Sequence, residues 1–189
     1  MKNFFVACLL AAVLFNCNKK KDEPSPSTGA PTTNSSECGT LTVKKGLVSH
    51  TVTSFNNSLL FDRSQEGRRL DIRGTVDGGT FVITVSNYDF QNPPENGIKL
   101  KTYFEDYTQS ECKDDGEISY CDGMLGTFLK DNKTYMTFAD EGDGFVVISS
   151  MDTNNKKVSG SFKFTAMTID RTDTIPFSGT FSNLCYSLK

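Results

Sequence analysis

The sequence contains no tryptophan and a single histidine, and these shortages limit the kinds of site that it can build. A metal site made of several histidines is excluded, because His50 has no second histidine to join it. No two cysteines are separated by the two to four residues that are typical of structural zinc sites. We therefore expect no zinc and no other cofactor, and we find no local motif that would make His50 catalytic.

The sequence also lacks a long apolar run and an excess of basic residues. Its longest apolar run, Phe4 to Phe15, has twelve residues, whereas a membrane-spanning helix needs about 20. The formal net charge is −3, and the clearest basic cluster is the three lysines at 19–21. We therefore expect neither a membrane-spanning helix nor a nucleic-acid partner.

The N-terminus has the layout of an export signal. Met1-Lys2-Asn3 is a short basic start, and the apolar run that follows has the length and position of a signal peptide. The run ends at Leu14-Phe15-Asn16-Cys17, and a leucine three residues before a cysteine resembles the lipobox of bacterial lipoproteins. That resemblance implies a signal peptide over residues 1–16 and a lipid on Cys17, which would become the first residue of the mature protein. Simple secretion is the alternative.

A polar stretch follows Cys17. Lys19-Lys20-Lys21-Asp22-Glu23 resembles the surface-export signals of lipoproteins from the Bacteroidetes, and residues 24–36 consist mainly of Pro, Ser and Thr. Such a stretch cannot bury enough apolar surface to offset the entropy of ordering it. We therefore predict a flexible tether over residues 17–37 and a single domain over 38–189. The expected location is the periplasmic face or the cell surface of the outer membrane.

The expected domain contains four cysteines, Cys38, Cys112, Cys121 and Cys185. An even number in an exported chain indicates two disulfides, although four cysteines allow three connectivities. We favour Cys112–Cys121, which closes a short loop, and Cys38–Cys185, which would tie the first strand to the last. Each disulfide is expected to stabilise the fold by about 2–4 kcal/mol.

Apolar and polar residues alternate along most of this domain. In one stretch Phe81, Ile83 and Val85 share a face, as expected for a half-buried antiparallel strand. Turn residues, mostly Asp, Asn and Gly, separate such stretches, and none has a convincing helical period. We predict an all-β fold, an antiparallel meander that forms a β-sandwich or a β-barrel, with lipocalin-like closure as one form of the barrel. Strands are predicted near 40–45, 50–54, 57–62, 68–76, 79–87, 98–104, 117–121, 124–130, 133–139, 144–150, 156–168 and 174–185.

A short motif, Gly-Thr-Phe or Gly-Ser-Phe, occurs four times, at 79–81, 126–128, 160–162 and 179–181. The spacing is irregular, so the motif does not indicate a repeat architecture. We interpret each copy as a glycine at the start or bulge of a strand, an outward polar residue and a phenylalanine in the core.

Two stretches near the C-terminus carry a distinctive pattern of glycine and phenylalanine. They are KVSGSFKFTA, from Lys157 to Ala166, and GTFSN, from Gly179 to Asn183. Together they resemble the ending of a group of Bacteroidetes lipoproteins of unknown function, in which the strands follow a lipidated cysteine and a polar tether. The resemblance implies an exported all-β domain and assigns no activity.

Three acidic residues in one predicted turn, Asp140, Glu141 and Asp143, are candidate ligands for calcium. Calcium takes about six to eight oxygen ligands, but the spacing does not match an EF-hand loop. Acidic residues in β-turns are commonly solvated without binding a metal, and we favour that interpretation.

The tyrosines are candidate stacking residues for a ligand, because the chain has no tryptophan to fill that role. Tyr88, Tyr103 and Tyr107 stand out, since they lie at strand ends or near the longest predicted loop, and loops often carry binding sites.

Asp173-Thr174-Ile175 resembles the O-glycosylation acceptor of exported Bacteroidetes proteins, which makes Thr174 a candidate modification site. A turn followed by a strand is the simpler interpretation of that stretch.

These observations favour a lipid-anchored binding or structural domain without enzymatic activity. Its expected partners are the membrane, through the N-terminal lipid, and a protein, a glycan or a small apolar ligand. One alternative is a lipocalin-like barrel around an apolar ligand, against which a filled interior would count. Another is a carbohydrate-active enzyme, which would need two carboxylates about 5–10 Å apart across a cleft.

Overall fold

The structure is a computed structural model, and it describes residues 38–52, 54–62, 67–88, 97–114, 119–140 and 142–189. All of these residues belong to the unit Thr33–Lys189. The predicted signal peptide and tether, including Cys17, lie outside the described residues. The expected domain boundaries therefore stay predictions.

The regular secondary structure of the described residues is almost entirely β-strand, and their one helical element is a short 3-10 turn, Tyr107–Gln109. The alternation of apolar and polar residues is the cause, because it gives each strand one face that can be buried. The predicted all-β class is confirmed. The strands are β1 (Thr40–Lys45), β2 (Val48–Val52), β3 (Ser58–Asp62), β4 (Gly67–Val76), β5 (Gly79–Asn87), β6 (Thr102–Phe104), β7 (Cys112–Asp114), β8 (Ser119–Cys121), β9 (Gly123–Lys130), β10 (Lys133–Met136), β11 (Phe145–Asp152), β12 (Lys157–Met167), β13 (Thr174–Cys185) and β14 (Ser187–Leu188).

Most strands form one curled mixed sheet, a half-barrel. Ten of them lie side by side in the order β14–β3–β4–β5–β9–β10–β12–β13–β1–β2, and β11 joins β12 and β6 beside this path. Hairpins such as β4–β5 and β12–β13 agree with the predicted meander, whereas the pairs β5–β9 and β1–β13 join strands that are far apart in sequence. The β14–β3 pair is parallel, and β7 and β8 form a small separate hairpin.

The segment between β2 and β3 brings the two ends of the curled sheet together. Phe55 forms an isolated bridge with Gly74 of β4, and the N–H of Asn56 donates to the carbonyl of Arg73 at 3.2 Å. In the strand order β2 is the last strand and β4 is the third from the other end. The contact therefore links regions near the two opposite edges of the sheet. The sheet therefore curls far enough for strands from its two ends to meet.

Phenylalanine rings fill the inner side of the sheet. The ring centroid of Phe177 lies 5.4 Å from that of Phe81, 5.3 Å from that of Phe128 and 5.4 Å from that of Phe164. These rings are buried together with aliphatic residues from most strands. A filled interior counts against a lipocalin-like ligand inside the barrel, so a binding site has to be sought elsewhere.

The Gly-x-Phe motifs make this ring packing possible. Across β12 and β13, Gly160 is the register partner of Phe181, and Phe162 is the register partner of Gly179. A Cβ atom on Gly160 would lie 2.5 Å from the Phe181 ring, and one on Gly179 would lie 2.7 Å from the Phe162 ring. Each glycine therefore leaves the space that a phenylalanine of the neighbouring strand occupies.

The other two motifs work in the same way with different partners. A Cβ atom on Gly79 would lie 2.5 Å from the ring of Phe128, and one on Gly126 would overlap the ring of Phe164. The phenylalanines of all four motifs are at most 2% exposed, which confirms that they belong to the core. Gly79 begins β5 and Gly160 borders a register shift, as predicted. All four glycines also make room for a neighbouring ring, and a Cβ atom on Gly160 or Gly179 would in addition overlap the backbone carbonyl of Val147 or Thr42.

Both favoured disulfides are present. Cys38 and Cys185 are bonded, with their Cα atoms 4.8 Å apart and a sequence separation of 147. Cys112 and Cys121 are bonded across β7 and β8, with their Cα atoms 4.0 Å apart. The first bond ties the residues just before β1 to the end of β13, so it joins the beginning and the end of the described chain.

The strand predicted over 98–104 is shorter than expected: β6 begins only at Thr102 and ends at Phe104. Just before it, the N–H of Lys99 donates to Oδ1 of Asn87 at 3.1 Å instead of joining a strand ladder. The alternation is interrupted there, and Leu100, which simple alternation would place in the core, is 58% exposed. The sequence pattern also does not predict the short strands β7 and β14.

We predict that Gly126→Ala lowers the free energy of unfolding by about 1–3 kcal/mol, the usual cost of overpacking a filled core. The atoms nearest to the new methyl group all belong to the Phe164 ring. Phe164→Leu removes that ring, so adding Gly126→Ala to it should cost much less than adding Gly126→Ala to the wild type. Urea denaturation of the four proteins measures the coupling, and additive effects would contradict the ring-over-glycine explanation.

Candidate ligand groove

The outer face of the sheet carries a row of residues across β3, β4, β5 and β9. Register partners in an antiparallel sheet point to the same side, and successive residues along a strand point to opposite sides. The neighbours of this row along the strands, such as Leu70 and Val85, are fully buried in the core. The row therefore faces outward, and it consists of Leu60, Arg69, Ser86 and Gly123.

Small residues in this row open a groove on the outer face. Gly123 has no side chain and Ser86 has a short one, so the larger residues around them form walls. The groove has a volume of about 740 Å³, which lies within the usual range of roughly 300–1,000 Å³ for ligand sites. It is lined by Leu60, Phe61, Gly67, Arg68, Arg69, Thr84, Ser86, Tyr88, Gly123, Met124 and Leu125.

A buried carboxylate beside the groove holds two arginines in place. Asp71 accepts hydrogen bonds from Arg69 Nε at 2.9 Å and from Arg73 Nη2 at 2.8 Å. The hydroxyl of Thr84 donates a third bond to it at 2.8 Å. Burial alone would raise the pKa of Asp71, but these hydrogen bonds outweigh it and lower the pKa. Asp71 therefore stays ionised and fixes the guanidinium of Arg69 at the groove wall.

A second buried carboxylate fixes Tyr88 at the edge of the groove. Asp122 accepts hydrogen bonds from the backbone N–H of Tyr88 and from the side-chain amide of Asn87, and it forms an ion pair with Lys101. The ring of Tyr88 lies over Gly67, where a Cβ atom would come within 2.8 Å of two ring carbons. The ring is thereby held against the backbone of β4.

Lys101 is a partly buried cation that two carboxylates share. Its Nζ contacts Asp122 and lies 2.9 Å from Oε2 of Glu111. Burial alone would lower the pKa of Lys101, but the two carboxylates outweigh it and raise the pKa. Lys101 therefore stays charged and balances Asp122, which stabilises the backbone next to Tyr88.

Arg68 is the second arginine of the groove lining. Its guanidinium carbon lies 3.7 Å from the ring centroid of Phe61, which is an attractive cation–π contact. Burial lowers the pKa of Arg68, and its Nη1 is buried without a hydrogen-bond partner among the described residues. Buried donors without an acceptor are rare in folded proteins. Because this nitrogen is enclosed by protein, it is not a contact point for a ligand in the groove.

The structure places the three candidate tyrosines in different environments. Tyr88 lines the groove. Tyr103 is 1% exposed, its hydroxyl donates to the carbonyl of Lys99 at 2.9 Å, and burial raises its pKa. Tyr103 is thus a core residue with no face for a ligand, which corrects its candidate role. Tyr107 begins the 3-10 turn, and its side chain lies outside the described part of the structure.

The candidate calcium ligands face basic residues. Asp140 Oδ2 lies 3.1 Å from Arg171 Nη2, and Asp143 Oδ2 lies 2.9 Å from Lys163 Nζ. Glu141 lies outside the described residues. Within the described ranges, no group of three or more His, Cys, Asp or Glu side chains is arranged to hold a metal ion.

Thr174 and His50 both lie in strands. Thr174 begins β13 and is exposed, as a modification site has to be, and its glycosylation stays a prediction. The preceding Asp173 accepts a hydrogen bond from the Tyr135 hydroxyl at 2.7 Å. His50 lies half-buried in β2, where it is the register partner of Val43.

Sequence reasoning missed a third buried carboxyl group, that of Glu105. Its Oε1 accepts a hydrogen bond from the N–H of Phe138 at 2.8 Å, and its Oε2 has no partner among the described residues. Gly142 and Gly144 pack so closely against it that a Cβ atom on either would overlap the carboxyl group. Burial raises the pKa of Glu105 and outweighs its backbone hydrogen bonds, and the nearby Asp143 raises the pKa further.

Residues 61–184 match the model of a protein family that is described as a domain of unknown function (DUF6252). The chain belongs to this family. The DUF6252 match includes β4, β5 and β9, which supply most of the groove, and it assigns no activity. No curated protein and no solved structure matches the chain significantly. Among the described residues, no helix has the length and hydrophobicity that a membrane span requires.

We predict that Glu105→Gln stabilises the protein at neutral pH but not in acid. Because the folded state raises the pKa of Glu105, folding favours the protonated form, and that contribution is lost as the pH rises through the folded-state pKa. The variant cannot ionise, so its free energy of unfolding should exceed that of the wild type above this pKa. Below about pH 4, where glutamate is protonated in both states, the two proteins should be similar.

Urea denaturation across this pH range measures the effect. Glu111→Gln is the control, because Glu111 is exposed and Lys101 lowers its pKa, so its removal should give no gain at neutral pH. A difference between wild type and Glu105→Gln that does not change with pH would contradict the assignment.

Proposed function

We propose that this protein is a lipid-anchored binding domain of the cell envelope, and that its ligand lies in the groove across β3, β4, β5 and β9. The groove itself carries the proposal, because one buried carboxylate holds the side chain of Arg69 and another holds the backbone of Tyr88, around a floor of small residues. Side chains that are already held in place lose little freedom when a ligand binds, which favours a binding role.

The N-terminus supports the anchored location. The run that ends at Leu14-Phe15-Asn16-Cys17 resembles a lipobox, and a polar stretch separates Cys17 from the described domain. The two disulfides support an exported protein, because such bonds persist in oxidising compartments. Together with the C-terminal resemblance, these features support an outer-membrane lipoprotein of the Bacteroidetes type.

The charge of the groove favours binding over hydrolysis. Glycoside hydrolysis requires two carboxylates that face each other across the substrate. The described residues that line the groove include no Asp or Glu. Asp71 lies beside the groove, but its oxygens are engaged by Arg69 and Arg73.

Several polar groups of the groove support an oligosaccharide as the ligand, although Leu60, Phe61, Met124 and Leu125 also line it. Apolar ligands are generally held in enclosed, mainly apolar cavities, and the interior of this sheet is filled by phenylalanine rings. The open groove instead combines the ring of Tyr88, which can stack on the C–H face of a sugar, with the hydroxyls of Thr84 and Ser86. We therefore propose an oligosaccharide as the ligand.

We predict that Cys17→Ala abolishes lipid attachment in the native host. The wild type should yield a mature chain that begins at acylated Cys17, and globomycin should block its processing. Intact mass of the membrane fraction measures both. Cys8→Ala is the control, because Cys8 lies inside the apolar run and should be discarded with it. A wild-type protein released without lipid would contradict the anchor and favour simple secretion.

We predict that Ser86→Trp blocks ligand binding, because the new side chain would fill the groove. An array of neutral and acidic oligosaccharides measures binding of the full domain. Thr80→Trp is the matched control, since Thr80 is exposed on the same face of β5 and does not line the groove. Tyr88→Ala should weaken binding by about tenfold or more, as expected for an aromatic side chain that contacts the ligand. Binding that survives Ser86→Trp, or no binding at all, would contradict the groove as the site.

A further inference from the structure

The charges of the groove point to an acidic ligand. Among the described residues that line it, the charged ones are Arg68 and Arg69, and none is acidic. We propose that the ligand is an acidic oligosaccharide whose carboxylate or phosphate group binds Arg69. This inference rests on the proposed function, because it specifies the ligand of the same groove.

Arg69 is oriented so that part of its guanidinium is available to a ligand. Its Nε and Nη2 donate to the two carboxylate oxygens of Asp71, at 2.9 and 3.2 Å. Its Nη1 has no hydrogen-bond partner within the described ranges, and the side chain is 50% exposed. A guanidinium that is already held by a carboxylate can bind a second anion with little further loss of freedom.

Asp71 does not cancel the positive charge of this face. One carboxylate faces two guanidinium groups, since Arg73 also donates to it at 2.8 Å, so the three groups together keep one positive charge. Arg68, which also lines the groove, adds a further positive charge nearby. An anionic group in the groove would therefore meet a surface of complementary charge.

The positions of Tyr88 and Arg69 fit one sugar ring with an acidic substituent. The Tyr88 ring lies over Gly67, two residues before Arg69 on β4, and two residues span about 7 Å along a strand. Ser86 is the register partner of Arg69, and Gly123 lies beyond it in the same row. A pyranose ring stacked on Tyr88 would bring its acidic group to Arg69 and its hydroxyls over Ser86.

Arg69→Gln should weaken the binding of an acidic oligosaccharide by about 10- to 100-fold, the usual effect of losing a charge-assisted hydrogen bond. Arg73→Gln is the matched control, because it removes the same charge and the same kind of bond to Asp71 from the same strand. Arg73 is 48% exposed, close to the 50% of Arg69, but it does not line the groove. Its loss should change the Kd by no more than about twofold. Isothermal titration calorimetry measures the Kd of each variant for the tightest acidic saccharide of the array.

Asp71→Asn separates positioning from overall charge. The substitution makes the outer face more positive, so an effect of net charge alone would tighten the binding of an acidic saccharide. If Asp71 is a positioning residue for Arg69, the same substitution should weaken binding, and we expect a loss of about fivefold or more. Thermal unfolding of the variant shows whether it is folded at the temperature of the titration.

The array and the titrations give outcomes that distinguish the two proposals. The expected result is binding of acidic saccharides and much weaker binding of their neutral counterparts, with uronic acids and phosphorylated sugars separating carboxylate from phosphate recognition. The acidic ligand would be overturned if neutral and acidic saccharides bind equally well and Arg69→Gln binds no more weakly than Arg73→Gln. The groove would still be the site in that case if Ser86→Trp blocks binding. The absence of any binding, or binding that survives Ser86→Trp, would overturn the proposed function as well.

Discussion

The packing of phenylalanine rings over glycines is the constraint on which the rest of this structure depends. Gly160 and Gly179 leave the space that Phe181 and Phe162 occupy, so two neighbouring strands can both present large rings to the same side. The rings meet around Phe177 and fill the half-barrel. Because the interior is occupied by the protein's own side chains, the ligand site that we propose lies on the outside of the sheet.

Buried carboxylates organise that outer surface. A buried ionised carboxylate is costly unless it is paired and hydrogen-bonded. Each buried carboxylate therefore keeps its hydrogen-bond partners in fixed positions. Asp71 orients Arg69, and Asp122 holds the backbone of Tyr88. The two walls of the groove are therefore ordered by charge pairs, although the strands beneath them are ordered by the core. This division explains how a sheet face with small side chains at its centre can still present a defined site.

Local pattern predicts much of this fold, and its failures have physical causes. The alternation in Phe81 to Val85 identifies β5 because each second residue is buried in the core. Near residue 100 the alternation misleads, because the side chain of Asn87 captures the N–H of Lys99 and the strand begins later. Tyr103 is buried although it lies near a strand end in sequence, because its strand pairs with β11 and places the side chain in the core. Here Tyr103 is the register partner of Val146 in β11.

The sequence by itself determined the all-β class and the core phenylalanines, and it favoured the two disulfides, because periodicity, residue type and cysteine number are local properties. It also contains Arg69-Leu70-Asp71-Ile72-Arg73, whose alternation puts one aspartate between two arginines on one strand face. The tertiary structure alone decided the groove, because its central row comes from four strands whose register no local pattern specifies. It also decided the burial of Asp122 and Glu105, since burial depends on which distant segments pack over a residue.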